Sequence, residues 1–191
     1  MPQTLFTIGH SNHPIERFVA LLRSAGIVRL IDVRSMPASR RHPQFNRATL
    51  AAALNAAGIA YDWQGAALGG KPRGGGARAD YAAIAAQPAF RDALDHVIGA
   101  AARERCTLMC AEREPLDCHR TVLVGRQIAA MGVALQHIHG DGRLEPHEAL
   151  EDRLLASEGL LGDDLLNRGV PRASRVQQAW DRRARAMTGG H

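Results

Sequence analysis

Short apolar runs alternate along the chain with longer stretches of helical period. Thr4–Gly9 (TLFTIG) is apolar, β-rich and ends at a glycine, the pattern of a buried strand. Ile15, Phe18, Val19, Leu21 and Leu22 then recur at helical spacing. Ser11 or Asn12 is placed to cap that helix, Pro14 falls in its first turn, and Gly26 stops it. Residues 29–33 (RLIDV) predict a second strand, and residues 34–45 a long polar loop with two prolines. A helix over 47–57 closes at Gly58, and a strand over 59–63 leads into a glycine-rich loop, 65–79. Residues 81–105 predict a long helix, broken near Pro88, with Phe90, Leu94, Val97 and Ile98 on its buried face. A fourth strand over 107–111, a helix over 118–131 ending at Gly132, and a fifth strand over 133–138 follow. Beyond Gly142 the pattern weakens to one helix over 145–155, a short one within 157–169, and a polar arm over 170–191 that is a helix or disordered.

Strict alternation of strand and helix argues for an α/β fold. The expectation is a three-layer α/β/α sandwich with a mainly parallel sheet of about five strands. A closed barrel needs about eight such units and ~250 residues. Residues 1–145 are expected to form one α/β domain, and 146–191 a C-terminal helical extension with an arginine-rich tail. Right-handed crossovers put every strand-to-helix loop at one edge of a parallel sheet.

The chain has 191 residues, 46% of them hydrophobic and 23% charged, a composition that folds without staples. No apolar run approaches the ~18 residues of a membrane span, and the N-terminus lacks a signal-peptide pattern. A cytoplasmic protein with no membrane partner is therefore expected. Three cysteines with no export signal make thiol or metal chemistry a better prospect than disulfides. The net charge is +5, and residues 168–191 account for all of it, with six arginines against Asp181 alone. The basic character thus belongs to the tail, expected to be solvated, with non-specific nucleic-acid contact as the alternative.

Each predicted strand runs into a polar cluster. His10 and Ser11 follow the first strand. Asp32, Arg34, Ser35, Ser39 and Arg40 follow the second, and Gly69-Gly70-Lys71 the third. Cys110, Glu112, Cys118, His119 and Arg120 follow the fourth, and His137 and His139 close the fifth. In a parallel sheet these groups share the edge where open α/β sheets bind ligands.

These segments resemble the family described as Domain of Unknown Function 488. The resemblance rests on TIGHS (7–11), DVRSMPASR (32–40), Phe45, Tyr61, LGG (68–70), CAEREPLDCHR (110–120) and HIHGDG (137–142). It covers residues 4–142 and implies an α/β fold with one shared site. It implies no reaction, and Cys106 lies outside its motifs.

Cys118 opens a predicted helix beside Arg120 and His119, a setting that lowers a thiol pKa. It is a candidate nucleophile or metal ligand, with Cys110 as redox partner or second ligand. Glu112 and His10 are candidate proton carriers. Arg34, Arg40 and Arg120 offer planar forks of donors for an anion. Ser11, Ser35, Ser39, Asp32, Gly69 and Gly70 are candidate substrate contacts. The bland alternatives are a serine helix cap, an Arg34–Asp32 pair, buried structural thiols and close glycine packing. A phosphatase C-x5-R loop fits neither cysteine, the C-x7-C-H spacing is not a zinc ribbon, and the glycines lack P-loop order.

Three readings follow. One is an enzyme acting on an anionic small molecule, phosphate-bearing, or on nucleic acid. The second is a non-catalytic nucleotide or nucleic-acid binder. The third is a metal-binding protein through Cys110, Cys118 and His119. No particular cofactor is indicated.

Overall fold

The computed structural model of the chain describes residues 4–71, 79–162 and 169–189. Six strands form one sheet: β1 (Thr4–Gly9), β2 (Arg29–Asp32), β3 (Ala60–Trp63), β4 (Cys106–Cys110), β5 (Ala134–Ile138) and β6 (Leu144–Pro146). Their spatial order is β3-β2-β4-β1-β5-β6, and only the β5–β6 pair is antiparallel. The helices are α1 (Ile15–Ser24), α2 (Arg47–Ala56), α3 (Gly65–Leu68), α4 (Tyr81–Ala85), α5 (Pro88–Ala101), α6 (Arg126–Ala130), α7 (His147–Ser157) and α8 (Arg172–Thr188). This is the expected α/β architecture with a mostly parallel sheet.

Alternation along the strands sorts the core into two layers. Phe6, Ile8, Leu30 and Met109 pack with Phe18, Leu22, Leu50 and Leu54 of α1 and α2. Leu5, Ile31, Val33, Leu108 and Cys110 face the other way, onto Phe90, Leu94 and Val97 of α5 and onto α7 and α8. β1 sends its chain to the α1 face, whereas the neighbouring β4 sends its chain to the opposite face. The gap between β1 and β4 is therefore a topological switch point, the place where doubly wound sheets open a crevice.

Four details differ from the sequence reading. β6 is an extra strand taken from the start of the helix expected over 145–155, and α7 begins at His147. No side-chain cap from Ser11 or Asn12 is found on α1; Pro14 holds the cap position, and Ser11 adopts a positive φ of 49°. The helix expected over 118–131 opens as a π-helical segment, Arg120–Gly125, before α6. Residues 158–162 are not helical, and the rest of the short helix expected there lies partly outside the described residues, as do residues 72–78 of the glycine-rich loop expected over 65–79.

The arginine-rich stretch is not a solvated tail. It folds as α8 and buries Val176, Ala179 and Trp180 in the same core layer as β1 and β4. Arg172 bonds Glu151 and Asp152, Arg175 the carbonyls of Leu160 and Gly162, and Arg183 Asp117 and the Leu116 carbonyl. Among the described residues no helix is long and apolar enough to cross a membrane.

Candidate functional site

Two constellations flank the β1–β4 switch point, one on each face of the sheet. They meet at two places. His10 and Ser11 donate backbone N–H bonds to the carbonyls of Cys110 (2.8 Å) and Ala111 (2.9 Å). Val33 accepts a bond from His119 on one face, while the next residue, Arg34, turns to the other.

On the α5 face stand Cys110, Glu112, Cys118 and His119, whose donor atoms all lie within 4.8 Å of one another. Cys110 ends β4 with its thiol on the buried side. Cys118 follows a 3-10 turn (Pro115–Asp117), so the chain doubles back and sets the second sulfur beside the first. Both sulfurs contact Glu112 Oε2, at 2.9 and 3.0 Å, and Cys110 Sγ lies 3.4 Å from His119 Nδ1. His119 Nε2 lies 2.9 Å from the Val33 carbonyl, which can only accept. The proton is thus fixed on Nε2, and in the neutral ring Nδ1 is left with its lone pair toward the sulfurs. Both thiols are buried, and Glu112 is the exposed member of the group.

The electrostatics separate the two thiols. Burial raises Cys110, and contact with Cys118 and the Glu112 charge raises it further. Burial opposes ionisation of Cys118 as well, but a bond from Cys110, the Arg120 guanidinium and His119 outweigh it and hold this thiol low. Burial depresses His119, yet its contact with Cys118 and its bond to Val33 leave it raised. Tyr81, in α4, is pushed up to about 12, first by burial and then by the negative charge of this group.

Arg120 supports the cluster from behind. It is wholly buried, and it donates to the carbonyls of Glu112 (2.5 Å) and Arg113 (3.2 Å) while its Nε finds no partner among the described residues. The guanidinium therefore clamps the loop that carries Glu112 and is shut off from any open pocket. π-Helical turns are rare and recur at functional sites.

On the α1 face, Arg34 is buried and forks onto Asp32, with Nε to Oδ1 at 2.9 Å and Nη2 to Oδ2 at 2.6 Å. Nη2 also donates to the Phe45 carbonyl, and Nη1 lies 3.3 Å from His10 Nε2. Tyr61 adds a hydroxyl bond of 2.7 Å to Asp32. His10 donates Nδ1–H to the Ser11 carbonyl at 2.8 Å and stacks on Phe45, with ring centroids 4.1 Å apart. Burial lowers the His10 pKa to about 4, so the ring is neutral and its Nε2 accepts from Arg34. A pocket of about 350 Å³ opens here, lined by His10, Ser11, Asn12, Arg34, Ser39 and His42 among others.

The remaining sequence candidates serve the loops. Ser35 Oγ accepts from the Lys71 N–H. A side chain at Gly69 would collide with Ser35, and one at Gly70 would stand 2.7 Å from the His119 ring. Arg40 is exposed on the loop beside Ser39. Tyr81, Asn12, His42 and the Val33 carbonyl were not among the sequence candidates. A backbone carbonyl carries no side-chain signal, and Tyr81 lies in an alanine-rich stretch that reads as plain helix.

A family model described as Domain of unknown function DUF488 matches residues 14–126, more than half of the chain. The chain belongs to this family. The DUF488 match takes in Asp32, Arg34, Cys110, Glu112, Cys118 and His119, so it spans both faces of the switch point, while His10, Ser11 and α8 lie outside it. No curated protein and no solved structure matches the chain.

Proposed function

We propose that this DUF488 chain is a metal-binding protein that holds a zinc-class divalent ion between Cys110, Cys118, His119 and Glu112. The carrying observation is the anchored imidazole: His119 gives Nε2–H to a backbone carbonyl and turns Nδ1 toward two thiols. Metal-ligating histidines almost always have such an outer partner. The spacing supports the same reading. Zinc bonds of roughly 2.0–2.3 Å place tetrahedral ligands about 3.3–3.8 Å apart, and Cys110 Sγ already stands 3.4 Å from Nδ1. Two sulfurs with an imidazole favour zinc or another borderline-soft ion over magnesium or calcium.

Burial favours a ligand role for Cys118 over the nucleophile role. It is 0% exposed, and the pocket lined by His10 and Arg34 lies on the opposite face, so the sulfur is not presented to a bulky substrate there. A small ion needs only a donor set and an entry point, and the exposed Glu112 supplies the entry. Glu112 is also the ligand that water or a substrate oxygen would most readily replace.

The test is elemental analysis of untagged protein, followed by cobalt substitution. One metal per chain and thiolate-to-cobalt charge-transfer bands, both lost in Cys118→Ser, are expected. Protein that takes up no metal at micromolar concentration, and instead closes a Cys110–Cys118 disulfide under mild oxidant, would overturn the reading in favour of a dithiol redox pair.

A further inference from the structure

We infer that the pocket on the α1 face is a second, separate site that binds a small phosphate monoester of mononucleotide size. The inference does not depend on a metal across the sheet. It starts from the hydrogen-bond inventory of Arg34. A guanidinium has five N–H donors. Nε is used by Asp32, Nη2 by Asp32 and the Phe45 carbonyl, and Nη1 by His10 on one side only. The fifth N–H, on Nη1, has no partner among the described residues, and the pocket is the open space that Arg34 lines.

Asp32 does not cancel this donor toward the ligand. Its carboxylate accepts from Arg34 N, Nε and Nη2 and from Tyr61, and it is not part of the pocket wall. The pair is oriented, carboxylate inward and guanidinium outward, so its positive end faces the cavity. No carboxylate lines the pocket. The exposed Arg40 and Arg41 on the same loop add positive potential at the rim.

The other wall groups are hydroxyls and an amide with spare capacity. Ser39 Oγ accepts from the His42 N–H and keeps its own proton to donate. Ser11 Oγ donates to Asn12 Oδ1 over a long 3.3 Å, a bond weak enough to be exchanged for a phosphate oxygen, and the Asn12 NH2 has no partner among the described residues. A carboxylate has two oxygens, whereas a terminal phosphate presents three to donors of this number. The cavity of about 350 Å³ leaves room for the rest of a small ester.

The backbone is strained at the same pocket wall. Ser11 is the one non-glycine residue with positive φ among the described residues. Its N–H is tied to the Ala111 carbonyl and its own carbonyl to His10 Nδ1, so both ends of the strained unit are held. Such conformations cost energy and gather at ligand sites. A glycine would sit there without strain, so exchanging the serine for glycine separates the hydroxyl from the backbone conformation.

Calorimetric titration of the full chain at low salt with adenosine 5′-monophosphate, inorganic phosphate and adenosine tests the site. The expected order is the monophosphate first, inorganic phosphate weaker, and adenosine without measurable binding. Ser11→Gly is expected to weaken the monophosphate several-fold while leaving thermal stability equal or higher, a split that a purely structural serine would not give. Asp32→Asn/Arg34→Gln removes the guanidinium but keeps neutral partners in place of a lone buried charge, and it is expected to cost at least tenfold in affinity. Equal binding of adenosine and its monophosphate, no heat at millimolar ligand, or unchanged affinity in both variants would overturn the assignment.

Discussion

The candidate metal ligands are held by contacts with little slack, and Gly70 shows how little. A methyl group there would stand 2.7 Å from His119 Cγ and 2.8 Å from its Cβ. The ring would have to rotate and lengthen its 2.9 Å bond to the Val33 carbonyl. Outer-shell disturbances of this kind typically cost 10–100-fold in metal affinity. Gly70→Ala is therefore expected to weaken zinc binding by about that factor while the fold is retained, measured by competition with a chromophoric chelator. Unchanged affinity would mean that the imidazole is not a ligand. The four donors themselves were legible in the sequence as CAEREPLDCHR. Their separation from Arg34 was not, because the face taken by each loop depends on the direction of its crossover. The sequence thus pointed to one mixed cluster of thiols and arginines, whereas Arg34 turns to one face and Cys118 to the other.

At the scale of elements, the buried strands were legible because a parallel strand covered on both sides is a continuous apolar run. β1 and β4 read that way, and β2 and β5 through shorter apolar cores flanked by polar residues. β6 escaped because Leu144–Pro146 pairs at the sheet edge through its backbone and has no apolar pattern. α8 was only half legible. Its buried stripe is Val176, Ala179 and Trp180, thin against the arginines around it, and its stability comes from the groove that receives it. Trp180 is 3% exposed and stacks on His147 with ring planes 9° apart. Trp180→Ala should destabilise the whole protein by about 3–5 kcal/mol, the usual cost of removing a buried aromatic ring, as read from urea midpoints. A loss under about 1 kcal/mol, the scale of a surface substitution, would show α8 to be an accessory. Salt should change little in this comparison, since exposed arginine pairs contribute little.

The molecule as a whole should lose stability as pH falls below about 6.5, for a reason seated in its centre. His137 lies between Thr7 Oγ1 at 2.8 Å and His147 Nδ1 at 3.0 Å, and this chain joins β1 and β5 to α7 beneath Trp180. Burial holds His137 well below the ordinary histidine range, reinforced by His147, Arg120, His139 and Arg153. Burial also lowers His147, with Arg172 acting in the same direction and Glu151 and Glu148 against it. Both rings are thus neutral when folded and free to charge when unfolded. Below the unfolded value of about 6.5 the unfolded chain binds more protons, so its free energy falls relative to the native state. The stabilisation is complete above that pH. It declines on the acid side at up to about 1.4 kcal/mol per pH unit for each proton, until the folded values are reached. Urea midpoints between pH 7 and 5 measure the decline, a window chosen to lie above most carboxylate titrations. His137→Gln keeps polar contacts without a titrating ring, so it should flatten the slope even if it lowers stability at pH 7. A native protein equally stable at pH 7 and 5 would overturn the prediction, and a variant with the parent slope would place the acid sensitivity in other groups.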